Sequence, residues 1–121
     1  MGNQWPEFNK LPKPNSVRHI LIEEGSGISE RTNGEIKFVV NSEPSANKVE
    51  HYCSLFVSKV GYRYPLMRVI QDGFNYPVTV IADNIQQVAA GNEAELRKVL
   101  GQVFQSDAIK NVVPQLLELV S

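Results

Sequence analysis

The chain has 121 residues, 42% hydrophobic and 21% charged, with 12 basic residues against 13 acidic and a net charge of -1. That length suits one domain able to bury roughly two-thirds of its unfolded surface, so folding requires neither a metal nor a disulfide, and the composition lies well away from the disordered range. The charge balance lacks the basic excess with which nucleic-acid binders neutralise phosphates, and the single cysteine, Cys53, excludes an internal disulfide.

A lone cysteine fits a reducing compartment. The longest apolar runs, such as Val78 to Ala82 with its Thr79, are far too short to cross a bilayer. The start shows no charged-then-apolar signal pattern, and Pro6 stands where a myristoylation signal has Ser or Thr. A cytoplasmic protein with no membrane partner is the expectation.

Residues 1 to 14 hold Pro6, Pro12 and Pro14 with little apolar periodicity, and read as an extended arm tacked onto its own domain by Trp5 and Phe8. The domain itself spans 15 to 121. From Asn15 to Thr32 two readings stand. In one, Ser16 caps a helix with Val17, Ile20, Leu21 and Ile28 on one face and Asn33-Gly34 at its end. In the other, a strand from Val17 to Glu23 ends in a Gly25-Ser26-Gly27 turn, since each glycine costs about 1 kcal/mol in a helix interior. The helix is preferred, because Glu23, Glu24, Ser29, Glu30 and Arg31 then form one polar face.

A β portion follows. Ile36, Phe38 and Val40 alternate with polar neighbours in a half-buried strand, and Glu43 to Asn47 reads as the loop after it. Val49 to Val60 is a longer strand broken by Gly61, with Val49, Cys53, Leu55 and Val57 of one parity. Tyr64 to Gln71 is the next. Asp72-Gly73 between apolar runs is a two-residue hairpin signal. It pairs Gln71 with Phe74, Val69 with Tyr76, Met67 with Val78 and Pro65 with Val80. One face then holds Met67, Val69, Tyr76, Val78 and Val80 as a core layer, and the other holds Tyr64, Leu66, Arg68, Ile70, Thr79 and Ile81. Pro65 removes a ladder bond, so regular pairing is expected from Leu66, and Pro77 marks a locally unpaired edge. Asp83-Asn84 is a second turn before a short strand from Ile85 to Val88.

The end is helical. Asn92 and Glu95 resemble a capping box ahead of Leu96, Val99, Leu100, Val103 and Phe104. Ser106 caps a second helix with Ile109, Val112, Val113, Leu116, Leu117 and Val120 on one face, which Pro114 is expected to kink.

Few groups point to chemistry. His51 and Cys53 are two apart on a strand and share a face, the spacing at which an imidazole could activate a thiol; equally, Cys53 belongs to the apolar parity and reads as a small buried hydrophobe. His19 and His51 lack carboxylates at ligand spacing, so no metal and no cofactor is expected. Gly25-Ser26-Gly27 lacks the spacing and the Lys-Ser/Thr of a phosphate loop. Tyr62, Tyr64 and Arg68 combine aromatic and cationic groups in the manner of single-stranded nucleic-acid surfaces, without surrounding lysines. Glu23-Glu24 and Glu93 with Glu95 are solvated charges on helix surfaces or first turns.

Taken in order, Ile20-Leu21-Ile22-Glu23-Glu24, Thr32-Asn33-Gly34, Tyr62-Arg63-Tyr64, Tyr76-Pro77-Val78 and the tail from Ser106 to Leu119 resemble small bacterial or phage-associated domains of unknown function. The resemblance covers residues 16 to 120. It implies a leading helix, a β-meander with a Tyr-Pro-Val strand and a closing helix, and carries over no activity and no functional residue.

The expectation is therefore an α+β domain: an N-terminal helix, a four- to five-stranded antiparallel meander, and two C-terminal helices packed on one sheet face. Its leading functional reading is a non-catalytic protein-interaction module with Tyr64, Leu66, Arg68, Ile70 and Ile81 as the interaction face. The partner is another protein or a second copy in a homodimer. The alternatives are single-stranded nucleic-acid binding through Tyr62, Tyr64 and Arg68, and a cysteine-dependent enzyme using Cys53 and His51.

Overall fold

The computed structural model describes residues 4–5, 16–82 and 85–121, and the helical segment that follows residue 16 opens on a serine cap. Ser16 is extended, and its Oγ accepts the His19 backbone N–H at 3.1 Å. Helix α1 follows over Val17–Gly25 and α2 over Gly27–Arg31, with Ser26 at the joint. The helical reading of this segment holds, as two helices rather than one. Gly25 is no flaw in it. A Cβ there would fall on the Phe38 ring, so the glycine lets the helix lie directly against that aromatic. Asn33 and Gly34 then take φ of 53° and 79° to stop α2. The Thr32 hydroxyl donates to the Ile28 carbonyl at 2.8 Å and accepts the Ile36 N–H at 3.1 Å, tying the helix to the first strand.

Five antiparallel strands come next: β1 Ile36–Ser45, β2 Lys48–Val57, β3 Tyr62–Asp72, β4 Asn75–Ala82 and β5 Ile85–Ala90, neighbours in chain order throughout. β1 runs on through the predicted loop, since Ser45 pairs with Lys48 across a turn at Ala46 and Asn47. Pro44 can sit within it because β1 is an edge strand, where a missing N–H costs no ladder bond. The arm predicted over residues 1 to 14 lies outside the described residues apart from Gln4 and Trp5, as does the predicted Asp83-Asn84 turn.

The β3–β4 register differs from the predicted one. Asp72 pairs with Asn75, so Gly73 and Phe74 form the turn, and the ladder then skips two residues at Tyr76 and Pro77 to pair Gln71 with Val78 and Val69 with Val80. Pro77 brings no N–H and falls outside the pairs on both sides of β4. The total slip of four residues is even, so each side chain keeps its predicted face. A second irregularity behaves differently. Between β2 and β3, Cys53 pairs with Met67 but Ser54 with Pro65, leaving Leu66 as a one-residue bulge. Ladder pairing with β4 starts at Met67, one residue later than expected.

Helices α3 (Glu93–Phe104) and α4 (Asp107–Glu118) close the chain. Asn92 Oδ1 accepts the Glu95 N–H at 2.9 Å, while Glu95 Oε2 reaches back to the Gly91 N–H at 2.6 Å rather than to Asn92. Ser106 caps α4, which continues through Pro114. All four described helices pack on one sheet face. Val17, Ile20, Leu21, Leu96, Val99, Leu100 and Val103 meet Val40, Cys53, Met67, Val69, Val78, Val80 and Ala90 in the main core. A second cluster joins Ile36, Leu55 and Val57 to Leu116, with Ile28, Val112, Val113 and Leu117 half-buried around it. Arg97 bonds Glu23, Glu24 and Glu93 at 2.9, 2.7 and 3.1 Å, clasping α1 to α3.

Replacing Gly25 by Ala forces the helix off Phe38. Overpacking of this kind should cost about 1–3 kcal/mol and lower Tm by several degrees in thermal unfolding followed by circular dichroism; an unchanged Tm would mean that α1 does not rest on that ring.

Candidate functional site

Two surfaces gather the residues of interest. The first is the sheet face away from the helices. Arg68 stands opposite both Tyr52 and Ile81, and Ile70 opposite Thr79, so these side chains share that face. Val39 and Phe56 extend it across β1 and β2, with the Arg63 guanidinium 5.9 Å over the Phe56 ring. Glu50 holds the Arg68 guanidinium at 3.7 Å and accepts the Tyr52 hydroxyl at 3.2 Å. No described helix crosses this face.

Of the five residues predicted to form an interaction face, Arg68, Ile70 and Ile81 lie here. Tyr64 and Leu66 do not. The Leu66 bulge inverts the alternation of β3, so Tyr64 stands opposite Leu55 and packs with it against the second cluster, and Leu66 contacts both clusters on the helical side. The aromatic-cationic trio is split in the same way: Tyr62 is exposed at the strand end, Tyr64 turns under the helices, and Arg68 is on the opposite face, paired with Glu50.

The second surface is a cleft of about 610 Å³ where the start of α1 overhangs the ends of β1 to β4. His51 is 3% exposed on its floor. Its Nδ1 lies 2.7 Å from the Ser42 Oγ and its Nε2 lies 3.0 Å from the Gln71 Oε1. With the Gln71 oxygen accepting from Nε2–H, Nδ1 is the acceptor of the Ser42 hydroxyl proton. Arg18 Nη1 donates to the Val40 carbonyl at 2.8 Å and to Ser42 Oγ at 3.0 Å. Val17, Val49, Phe74 and Tyr76 supply apolar walls. Burial pushes the His51 pKa below its ordinary 6.5, against the Gln71 bond and with the help of the Arg18 charge.

Sequence reasoning found His51 but not its partners. Ser42 and Gln71 are polar residues on the inward parity of β1 and β3, at the ends of otherwise apolar rows, and that mismatch is the signal that could have found them. Cys53, next along the row, is 1% exposed, and burial pushes its thiol up to about 12. Both His51 ring nitrogens are engaged by Ser42 and Gln71, so the pair is no activated thiol. His19 is on the exposed side of α1 with Nε2 3.2 Å from Glu23. Among the described residues, no three His, Cys, Asp or Glu side chains cluster as metal ligands, and no helix is long and apolar enough to cross a membrane. Gly25-Ser26-Gly27 is the joint between two helices rather than a loop around phosphate. The Tyr76 hydroxyl is buried without a hydrogen-bond partner among the described residues.

Two measurements check this electrostatic picture. With its pKa depressed in the fold, His51 stays neutral where the unfolded chain takes up a proton. Stability is therefore full above pH 6.5 and falls as pH drops through that value towards the folded pKa; His51→Gln should flatten the fall in Tm between about pH 7 and pH 5.5. A disulfide exchange reagent at neutral pH should leave Cys53 unmodified until denaturant is added, whereas rapid native-state reaction would mean an accessible, ionised thiol.

Comparison with family models, with curated proteins and with solved structures finds no match to this chain, so a functional reading stands on these two surfaces alone.

Proposed function

We propose that this chain is a non-catalytic protein-interaction module that seats a partner on the open face of its sheet, in the simplest case a second copy of itself. The observation that carries the reading is the placement of Tyr52, Ile70 and Ile81 around Arg68, on a face that none of the four described helices crosses. Tyr52, Ile70 and Ile81 are half-buried there, and aromatic and aliphatic side chains around an arginine are the usual make-up of an interface centre. A two-fold pairing also suits the charges: Arg68 and Glu50 lie side by side, so each copy offers the other both a cation and an anion. The nucleic-acid alternative would need Tyr62, Tyr64 and Arg68 on one surface, and the cysteine alternative an accessible thiolate; neither arrangement is supported.

Ile81 is half-buried on the open face, so a lysine there can reach water in the monomer. Sedimentation equilibrium at about 0.1 mM, where a dimer of roughly micromolar Kd is nearly complete, should show a dimer for the wild type and a folded monomer for Ile81→Lys. A wild type that sediments as a monomer at that concentration ends the self-association reading. Unfolding of Ile81→Lys would mean that the face is part of the core.

A further inference from the structure

The cleft beside His51 has features that the interaction reading does not use. Among the described residues lining it, Arg18 is the one with a formal charge, and no described carboxylate lies within ion-pair distance of its guanidinium. Nη1 is committed to Val40 and Ser42, which leaves Nη2 and Nε as further donors. Gln71 is only 5% exposed, and His51 engages one end of its amide. The other end has no hydrogen-bond partner among the described residues, although Gln71 lines the cleft. With its oxygen on His51, the free end is the NH₂ group. That nitrogen is open to the cleft rather than sealed in the interior, so it stands ready to donate to a ligand there. Among the described residues, the polar part of the cleft is therefore a donor-rich, net positive spot with no acid beside it. Around it stand Val17, Val49 and Phe74, the last 86% exposed at the tip of the β3–β4 hairpin.

We propose that this cleft binds a small carboxylate carrying a short apolar group, with the carboxylate between the Arg18 guanidinium and the Gln71 amide and the apolar part against Val17, Val49 and Phe74. A mostly apolar pocket with a few convergent polar groups is the usual form of a small-ligand site, and a charge-assisted bond from arginine is the strong contact in it. Ser42 and His51 act as positioning residues. Their bonds fix the Arg18 guanidinium on one side and orient the Gln71 amide on the other. A fatty acid and the C-terminus of a peptide both present this chemistry.

The test uses the full chain and two probe pairs, followed by amide chemical shifts. The first is octanoate against octanol; the second is a hexapeptide ending in Val-Leu with a free or an amidated C-terminus. Saturable shifts with octanoate alone identify the fatty-acid source, and with the free-acid peptide alone the peptide source; either is expected to centre on Arg18, Gln71 and Phe74. Arg18→Gln should weaken the binding carboxylate by about tenfold or more, and so should Phe74→Asp, which places a like charge at the exposed lip without touching the fold. Should Arg18→Gln prove unfolded, Phe74→Asp decides alone. The proposal is overturned if neither carboxylate saturates by about 10 mM, weaker than any useful site, if octanol or the amidated peptide binds as tightly as its acid, or if Phe74→Asp leaves affinity unchanged.

Discussion

Helical segments from both ends of the chain must share one face of a single sheet. α1 and α2 precede one edge strand, and α3 and α4 follow the other, yet both pairs return over the same side. There α1 and α3 share the main core, with Ile20 and Leu21 of α1 and Leu96 and Leu100 of α3 all fully buried, and α2 and α4 border the second cluster. Such convergence needs close approach. Gly25 supplies it by letting α1 rest on Phe38, whose ring in turn meets Phe104 edge-on at 5.6 Å between centroids. Once that side is filled, nothing in the described chain remains to cover the other.

The same crowding explains where polar groups enter the interior. At the middle of the sheet the helices seal the inward rows with apolar side chains. Towards the ends of β1 and β3 the overhang of α1 thins, and Ser42, His51 and Gln71 occupy the inward positions. Burying an imidazole is tolerable only with its ring nitrogens bonded, which Ser42 and Gln71 accomplish. The network is also what keeps His51 away from Cys53, despite their adjacency on one strand face. A neutral imidazole with both nitrogens occupied has nothing to offer a thiol in an apolar row.

Two surfaces thus arise from one architectural fact, with different chemistry. The open sheet face is broad, mixed and internally charge-balanced, as suits a macromolecular contact. The cleft is small, concave and positive, as suits a compact anion. They lie on opposite sides of the sheet.

Much of the fold could be read from local chemistry. Ser16, Asn92 and Ser106 announce their helices because a short polar side chain is the simplest acceptor for the free N–H groups of a first turn. The apolar alternation of β1 to β4 identifies the strands, and it even survives a wrong hairpin register, since a slip of four residues moves no side chain to the other face. The Leu66 bulge was not readable. One extra residue in β3 reverses every face upstream of it, carrying Tyr64 and Leu66 from the predicted interaction surface into the helical side. Nor could the glycine at position 25 be told from a helix breaker without Phe38 against it. By itself the sequence determined the elements, their order and the α+β class, because caps, turns and periodicity are contacts between near neighbours in the chain. Only the tertiary structure decided which face stays open and which polar groups meet in the cleft, because both depend on register between strands, where a single inserted residue exchanges inside for outside.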